Sequence, residues 1–236
     1  GDPIMLRKSK ALAHVLDNIP IFITDQAQIV GYLGSAPHTL MWHQEGLFLT
    51  NEELYNDSTL IPEPQEESLK IIGEVCDYWG DKTALGKVMA LASPEDAVKF
   101  MSGYVAWGLP TSALTYSTKQ YDWWMRGFNF ILGEIDQNIA RAKEEMQGTP
   151  GPEILGHYDK IQKWEAMKLI LEAGIRWSER YARLARTLAE SFETDPKRKA
   201  ELLRIAETCE QVPANAPRNL QESLQLEFFI NILARY

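Results

Sequence analysis

The feature that most constrains this fold is a long stretch of helical periodicity over residues 158–192. Apolar or small side chains recur there at spacings of three and four: Ile161, Trp164, Met167, Leu171, Ile175, Ser178, Ala182, Ala185, Ala189 and Phe192. This spacing places them on one face of a single α-helix. Because alanine occupies three of the positions, we expect another helix to pack closely against this face. Charged residues fill the other faces, as in a solvated helix surface.

Further helices are predicted on both sides of this stretch. Three of them begin at strong start signals, namely Ser93-Pro94, Asp195-Pro196, and Asn219 followed by Glu222 at the third helical position. Breaks are predicted at 17–20, before a proline, and at the glycine- and proline-rich segment 148–152. The predicted helices cover residues 5–16, 66–79, 93–100, 121–146, 195–206 and 219–236.

A small β-hairpin is predicted near the N-terminus, over about residues 19–34. Two short apolar runs, Ile21–Thr24 and Ile29–Leu33, are joined by the residues Asp25-Gln26-Ala27-Gln28. This pattern is typical of two antiparallel strands. Two strands alone are only marginally stable, so the hairpin must lean on another element. The stretch 34–64 is expected to be a long surface excursion with one helical turn near Glu52.

Charge and composition exclude several function classes. The chain has 236 residues, a formal net charge of −9 and 45% hydrophobic residues. A globular core is therefore expected, and an acidic chain argues against nucleic acid as a partner. The sequence has no run of 18 apolar residues and no secretory pattern after Gly1. We therefore predict neither membrane insertion nor export, and a cytoplasmic location by default.

The sequence contains no pattern that assembles a catalytic or metal site. Cys76 and Cys209 are too few for a disulfide framework or a structural zinc site, and helical contexts favour small core residues. His38 and His43 are five apart, which is wrong for two ligands on one helical face, and no H-E-x-x-H motif occurs. We predict no metal. The carboxylate pairs at 52–53, 66–67 and 144–145 are interpreted as solvated surface.

An aromatic segment over residues 104–126 is the one suggestive patch. Its rings surround several small polar groups, an arrangement found in small-molecule pockets but equally in ordinary cores. Composition alone favours a core. The rings and the arginine are Tyr104, Trp107, Tyr116, Tyr121, Trp123, Trp124 and Arg126, and the polar residues are Ser112, Thr115, Ser117 and Gln120.

Several motifs in the same order and spacing resemble the pyruvate formate-lyase-like domain of glycyl radical enzymes. Two lie near the start, Ile19-Pro20-Ile21-Phe22-Ile23-Thr24-Asp25 and Ile29-Val30-Gly31. The others are Trp164-Glu165-Ala166-Met167, the segment 179–185 (ERYARLA), the segment 195–202 (DPKRKAEL) and the segment 209–218 (CEQVPANAPR). The likeness spans nearly the whole chain.

The resemblance implies that residues 1–236 are the N-terminal part of a ten-stranded α/β barrel. The segment itself is then mainly α, with the hairpin at about 19–34 and a helical layer at about 66–236. Family members carry a radical-forming cysteine on one loop and a radical-storing glycine on another. Neither loop has a counterpart here, since both cysteines lie in helical contexts and Met101–Tyr104 comes too early. The segment is thus expected to lack catalytic residues and to be inactive alone.

The resemblance also implies partners and a cofactor for the full-length enzyme. A glycyl radical would be installed by an S-adenosylmethionine iron–sulfur activating enzyme, and no cofactor is bound by this segment. The implied partners are a small-molecule substrate, the remainder of the barrel, the activating enzyme and a second copy in a homodimer.

A substrate prediction comes from a segment that resembles G-H-x-x-x-D-Y in several family members. Tyr116 falls at the histidine, Gln120 at the aspartate and Tyr121 at the tyrosine. Because both polar positions differ, the resemblance suggests a small aryl or weakly polar carboxylate rather than a polyol or choline. The candidate substrate-binding residues are Tyr116, Ser117, Gln120, Tyr121 and Trp124.

The reaction suggested is radical cleavage or formation of a carbon–carbon bond, by a lyase, acyltransferase or decarboxylase. The alternatives are a non-catalytic helical scaffold or interaction module, and a glycyl radical dehydratase or C–N lyase.

The last predicted helix is apolar on nearly every side. Its apolar residues are Leu224, Leu226, Phe228, Phe229, Ile230, Ile232 and Leu233. Such a helix is expected to be buried inside something larger. We therefore predict that, in an isolated segment, these side chains are covered by a neighbouring molecule or by rearrangement.

Overall fold

The structure, a computed structural model, describes residues 2–32, 90–101 and 121–235. It also describes isolated positions between 70 and 87, namely 70, 73–74, 77–78, 81–82 and 87. The chain divides into two compact units, one formed by Gly1–Ala36 with Thr118–Ala234 and the other by Pro37–Ser117. The described residues of the first unit form a helical bundle.

Seven α-helices are defined within the described residues. Helix α2 belongs to the second unit and the other six to the first. Their bounds are α1 (Ile4–Asn18), α2 (Pro94–Met101), α3 (Tyr121–Trp124), α4 (Phe128–Gly148), α5 (Ile154–Ser191), α6 (Pro196–Gln211) and α7 (Leu220–Arg235), with a 3₁₀ turn at Gly151–Glu153.

Helix α5 is the central element of the first unit, and its extent confirms the predicted long helix. It packs against α1, α4 and α6. Ala182, Ala185 and Ala189 are buried on it, so the small side chains do lie at close helix contacts. The two largest fully buried side chains of the described residues, Trp177 and Tyr181, also lie on α5. Phe192 was wrongly included in the buried stripe, because α5 ends one residue earlier and this ring is 74% exposed.

The predicted start signals act as helix caps. Both carboxylate oxygens of Asp195 accept hydrogen bonds from the first turn of α6, from Lys197 N at 3.1 Å and Arg198 N at 3.3 Å. The Asn219 side chain accepts from Glu222 N at 3.0 Å at the start of α7. Helix α6 runs on to Gln211, beyond the predicted end at 206. Local capping chemistry therefore locates the helix starts better than the ends.

The predicted helix over 121–146 is broken in the structure. Gly127 separates α3 from α4 with a φ of +83°, a conformation that favours glycine. A Cβ at this position would lie 2.4 Å from the carbonyl carbon of Asn215. The loop around Asn215 also caps α4, since Phe128 N donates to Pro213 O at 2.8 Å and Asn129 N to Ala214 O at 2.9 Å. A long-range contact thus ends one helix and starts the next.

The prediction of a β-hairpin over 19–34 is wrong for the part that the structure describes. Residues 19–32, called the strap from here on, contain a turn at 25–26, bends at 19 and 28–29, and no strand. Backbone groups of a hairpin would bond one another across the two runs. In the strap, side chains of α5, α6 and α7 bond backbone groups of Ile19, Thr24, Ala27, Val30 and Tyr32 instead. The turn at 25–26 adds a backbone bond from Ala27 N to Thr24 O at 3.0 Å. Residues 33 and 34 lie outside the described residues.

Helix α2 begins as predicted. The Ser93 hydroxyl oxygen accepts a hydrogen bond from Asp96 N at 3.2 Å, and Pro94 is the first helical residue. The predicted excursion over 34–64 lies outside the described residues, and the predicted helix over 66–79 lies largely outside them. Positions 70, 73–74 and 77–78 within it are helical. No helix in the described part of the chain is long and apolar enough to cross a membrane.

The last helix buries one face and exposes the other. Leu226, Phe229, Ile230, Ile232 and Leu233 are buried in the first unit. Leu224 is 53% exposed and Phe228 is 40% exposed, and Leu220 on the same face is 75% exposed. The bundle therefore covers most of the apolar surface of this helix. One apolar stripe, formed by Leu220, Leu224 and Phe228, remains exposed to solvent.

Candidate functional site

Trp124 is the one predicted substrate-binding residue whose side chain the structure describes. Tyr116, Ser117 and Gln120 lie outside the described residues, and Tyr121 is described only as the first residue of α3. The structure therefore does not test whether the five predicted residues come together. Tyr104 and Trp107, from the same aromatic segment, also lie outside the described residues.

An apolar cavity of about 140 Å³ lies beside Trp124. It is formed where α3 and α4 meet α5 and α7. Of its walls, Phe128, Leu171, Ile230 and Leu233 are buried. None of its described lining side chains is charged, so these walls can hold an uncharged apolar group but supply no acid or base. The lining side chains are those of Trp124, Phe128, Met167, Ile170, Leu171, Ile230 and Leu233.

Aromatic contacts fix the walls of this cavity. The rings of Trp124 and Phe128 meet edge to face with centroids 6.0 Å apart, and Trp123 meets Trp124 similarly at 5.2 Å. The Trp123 indole N–H donates a hydrogen bond to the Glu134 carboxylate. The described end of the aromatic segment thus packs against the core, as composition suggested, and also lines a cavity.

A second cluster of polar side chains, which was not predicted from the sequence, holds the strap onto the bundle. The Arg180 guanidinium donates to the carbonyl oxygens of Leu16 and Ile19, the latter at 2.5 Å. Arg198 donates to Thr24 O at 2.9 Å and to Ala27 O at 3.1 Å. Both arginines therefore bind main-chain oxygens of the strap, and Arg198 also pairs with Glu201 Oε2 at 3.0 Å. Arg180 lies in the 179–185 motif and Arg198 in the 195–202 motif of the family resemblance. These motifs were the sequence signal that could have indicated the cluster.

The far end of the strap is held by Gln225 and Tyr181. The Gln225 amide donates to Val30 O at 2.6 Å and accepts from Val30 N at 2.8 Å. The Tyr181 hydroxyl oxygen accepts from Tyr32 N at 3.1 Å. Burial raises the pKa of Tyr181 to about 12, and the bond from Tyr32 opposes this rise. The phenol therefore stays protonated near neutral pH and acts as a structural group.

The motif over 209–218 has a structural role as well. Ser178 Oγ lies 2.7 Å from the carbonyl oxygens of both Cys209 and Val212. The peptide bond between Val212 and Pro213 is cis. Cys209 is buried as predicted, and burial raises the pKa of its thiol to about 12. Because the thiolate is the nucleophilic form, this cysteine is chemically inert in the folded chain.

A polar groove lies between α6 and the start of α7, with a volume of about 370 Å³. Arg218 and Glu222 on its wall form an ion pair, with Arg218 Nη2 2.7 Å from Glu222 Oε1. Glu222 is only 3% exposed, and the neighbouring Arg218 lowers the pKa of its carboxyl. The charges of Arg218 and Glu222 neutralise each other, and the pair lies at the capped start of α7. Among the described residues, no group of three or more His, Cys, Asp or Glu side chains could hold a metal ion.

Comparison with known proteins identifies the family. The family description "Pyruvate formate lyase-like" matches residues 1–236. Isethionate sulfite-lyase from Oleidesulfovibrio alaskensis is 30% identical, over 100% of this chain and 29% of that protein. Indoleacetate decarboxylase from Tractidigestivibacter scatoligenes is 30% identical, over 72% of this chain and 19% of that protein. Dehydratases are also among the relatives.

A solved structure supports the same assignment. A glycyl radical enzyme from Archaeoglobus fulgidus aligns with 99% of this chain and 30% of its own chain, at 32% identity and a TM-score of 0.75. The chain thus spans about 30% of the length of the relatives that it matches over its whole extent. With the family description, a relative at 30% identity and this structure in agreement, the chain belongs to the pyruvate formate lyase-like family of glycyl radical enzymes.

Proposed function

We propose that this chain is the helical segment of a glycyl radical lyase that breaks or forms a carbon–carbon bond of a small, aryl or weakly polar carboxylate. The observation that carries the proposal is the family match over all 236 residues, with an apolar cavity beside Trp124. Among its relatives, indoleacetate decarboxylase is named for an aryl carboxylate and for loss of its carboxyl group. An apolar cavity suits such a ring better than it suits a polyol.

The role proposed for this segment is to bury and position rather than to react. The one cysteine that the structure describes is buried with a raised pKa, so it offers no reactive thiolate near neutral pH. In a radical enzyme the protein must hold the substrate and exclude water, while the radical group supplies the difficult chemistry. We therefore infer that this chain does not catalyse by itself.

The glycyl radical, installed by an S-adenosylmethionine iron–sulfur activating enzyme, would supply the hydrogen-abstraction chemistry of the full-length protein. In that protein Trp124 would form one apolar wall near the substrate. Tyr116, Ser117, Gln120 and Tyr121 remain proposed substrate contacts, on the strength of the resemblance of their segment to a substrate-facing segment of the family. A homodimer and a cytoplasmic location belong to the same proposal.

A second reaction class is supported by a specific observation. Several relatives are named dehydratases, including trans-4-hydroxy-L-proline dehydratase from Clostridioides difficile. A glycyl radical dehydratase would remove water from a hydroxylated substrate and would need polar contacts to that hydroxyl. Among the lining side chains that the structure describes, the Trp124 indole N–H is the one hydrogen-bond donor. This mainly apolar lining favours the less polar substrate.

The experiment uses the full-length protein, activated anaerobically with its activating enzyme and S-adenosylmethionine. We expect a glycyl radical doublet by electron paramagnetic resonance, and none when S-adenosylmethionine is left out. The activated enzyme is then given an arylacetate and, separately, hydroxyproline or a polyol. Release of carbon dioxide from the arylacetate supports the lyase proposal, whereas dehydration of the hydroxylated compounds supports the second class. A protein without the doublet would fit the non-catalytic scaffold instead.

A further inference from the structure

We propose that the cavity beside Trp124 is a binding site for one uncharged six-membered ring. The inference rests on the proposed function, because it assigns the ring of the substrate to this part of the site. It goes beyond that function in naming the cavity, the size of the group that it accepts and the absence of charge recognition there.

The size of the cavity supports a single ring. Its volume is about 140 Å³. An apolar cavity of about 150 Å³ in another protein stays dry and binds benzene, so a volume of this order is sufficient for one ring. The size therefore suits a phenyl-like group.

The chemistry of the walls supports an uncharged group. Phe128 is fully buried, and Leu171 and Ile230 are 3% and 4% exposed, so the inner wall is withdrawn from water. Of the lining residues within the described part of the chain, none is charged. Transfer of a carboxylate or an ammonium group into such a wall is strongly unfavourable without a partner. The charged end of a ligand must therefore stay outside the cavity while its ring enters.

The shape of the walls supports an aromatic occupant. Trp124 and Phe128 already meet edge to face, which is a favoured arrangement of rings and leaves both available to a third ring. Met167, on the opposite helix, contributes a flexible thioether that adapts to ring edges. Trp124 and Met167 are only partly buried, so a ring has access from their side. The site thus has two rigid aromatic walls and one adaptable wall.

The test uses the whole chain, with methionine methyl groups labelled with carbon-13 and benzene as the probe. We expect benzene to produce a saturable upfield shift of the Met167 methyl signal, which a Met167→Leu variant identifies. Met146 lies 18 residues further along α4 than Phe128, roughly 27 Å away, and serves as an internal control that does not shift. Acetate, which is charged and has no ring, should leave both signals unchanged.

A cavity-filling variant and a matched control complete the test. Ile170→Phe should weaken benzene binding by roughly tenfold or more. Ile139→Phe adds the same ring at a partly buried position that does not line the cavity, and should bind benzene like the wild type. Should Ile170→Phe fail to fold, an intermolecular nuclear Overhauser effect between benzene and the Met167 methyl of the wild type provides the same evidence.

Two outcomes overturn the inference: no saturable shift in the wild type, or an equal shift in folded Ile170→Phe. The test requires no radical, so its failure leaves the glycyl radical assignment intact. Conversely, benzene binding together with a missing radical doublet would overturn only the proposed function.

Discussion

The side-chain amide of Gln225 on α7 forms two hydrogen bonds with the backbone of Val30, 195 residues away along the chain. Both groups are buried, with Gln225 1% exposed and Val30 4% exposed. The amide therefore occupies the place that a neighbouring strand would take in a sheet. This contact explains how the backbone of Val30 can be buried without belonging to a hairpin.

Replacement of Gln225 by leucine should lower the free energy of unfolding by about 3 kcal/mol, because a buried N–H and a buried C=O of Val30 lose their partners. Urea unfolding measures the loss, and hydrogen exchange should show faster exchange of the Val30 amide. Gln221→Leu is the matched control on the same helix, since the Gln221 amide nitrogen has no hydrogen-bond partner. Equal losses in the two variants would contradict the assigned role of Gln225.

Gly127→Ala should destabilise the chain by roughly 3 kcal/mol or more, because the left-handed backbone and the nearby Asn215 backbone both oppose a side chain. Gly133→Ala on α4 is the control. A Cβ there meets no atom within 4 Å, so we expect it to stabilise the helix by roughly 0.5–1 kcal/mol. Thermal unfolding of both variants measures the difference. A mild effect at Gly127 would mean that the loop around Asn215 does not approach it.

Glu222 should make stability fall as the solution is acidified. The Arg218 guanidinium holds the pKa of this carboxyl below its ordinary value of 4.5 in the folded state. The native state therefore binds the proton less readily than the unfolded state does, and the stabilisation is fully present above pH 4.5. It is lost as pH falls through the lowered folded value.

Urea unfolding between pH 7 and 3 tests this expectation. Glu222→Gln should be less stable than the wild type at pH 7 and should lose less stability on acidification. Arg218→Met should reduce the pH dependence too, because the arginine is the main cause of the lowered pKa. An unchanged pH dependence in Glu222→Gln would show that other carboxylates dominate acid unfolding.

Cys209 should resist thiol reagents while the chain is folded, because it is 2% exposed and burial raises the pKa of its thiol to about 12. In a Cys76→Ser variant, Cys209 is the sole cysteine of the sequence. At pH 8 this variant should react with a disulfide reagent at least roughly 100-fold faster in 8 M urea than in buffer. Rapid labelling of the folded protein would contradict the burial and point to a reactive thiol.

Local chemistry accounts for what could be predicted from the sequence. The long helix follows from periodic apolar side chains over 158–192, and the caps at Asp195 and Asn219 follow from side chains that bond the next turn. The family resemblance was equally visible, because its motifs keep their order along the chain. The proposed substrate contacts at Tyr116, Ser117, Gln120 and Tyr121 stay predictions.

Contacts between distant segments account for what could not be predicted. The pattern over 19–32 resembles two strands, because alternation and turn residues look the same whether a neighbouring strand or a helix side chain satisfies the backbone. The break at Gly127 depends on Asn215, 88 positions further along. Trp124 belongs to the aromatic segment that the sequence indicates as a possible pocket, but its cavity exists because α3, α4, α5 and α7 meet beside it.

The sequence by itself determined the long helix, the helix starts at Ser93, Asp195 and Asn219, and the family, since periodicity, capping and motif order are properties of neighbouring residues. Tertiary structure alone decided that the strap is not a hairpin, that Gly127 interrupts a helix and that an apolar cavity forms beside Trp124. The physical reason is that a buried backbone group must find a hydrogen-bond partner and a packed core must fill its space. Only when the helices pack together is it decided which distant residue bonds a buried backbone group and which one fills the core.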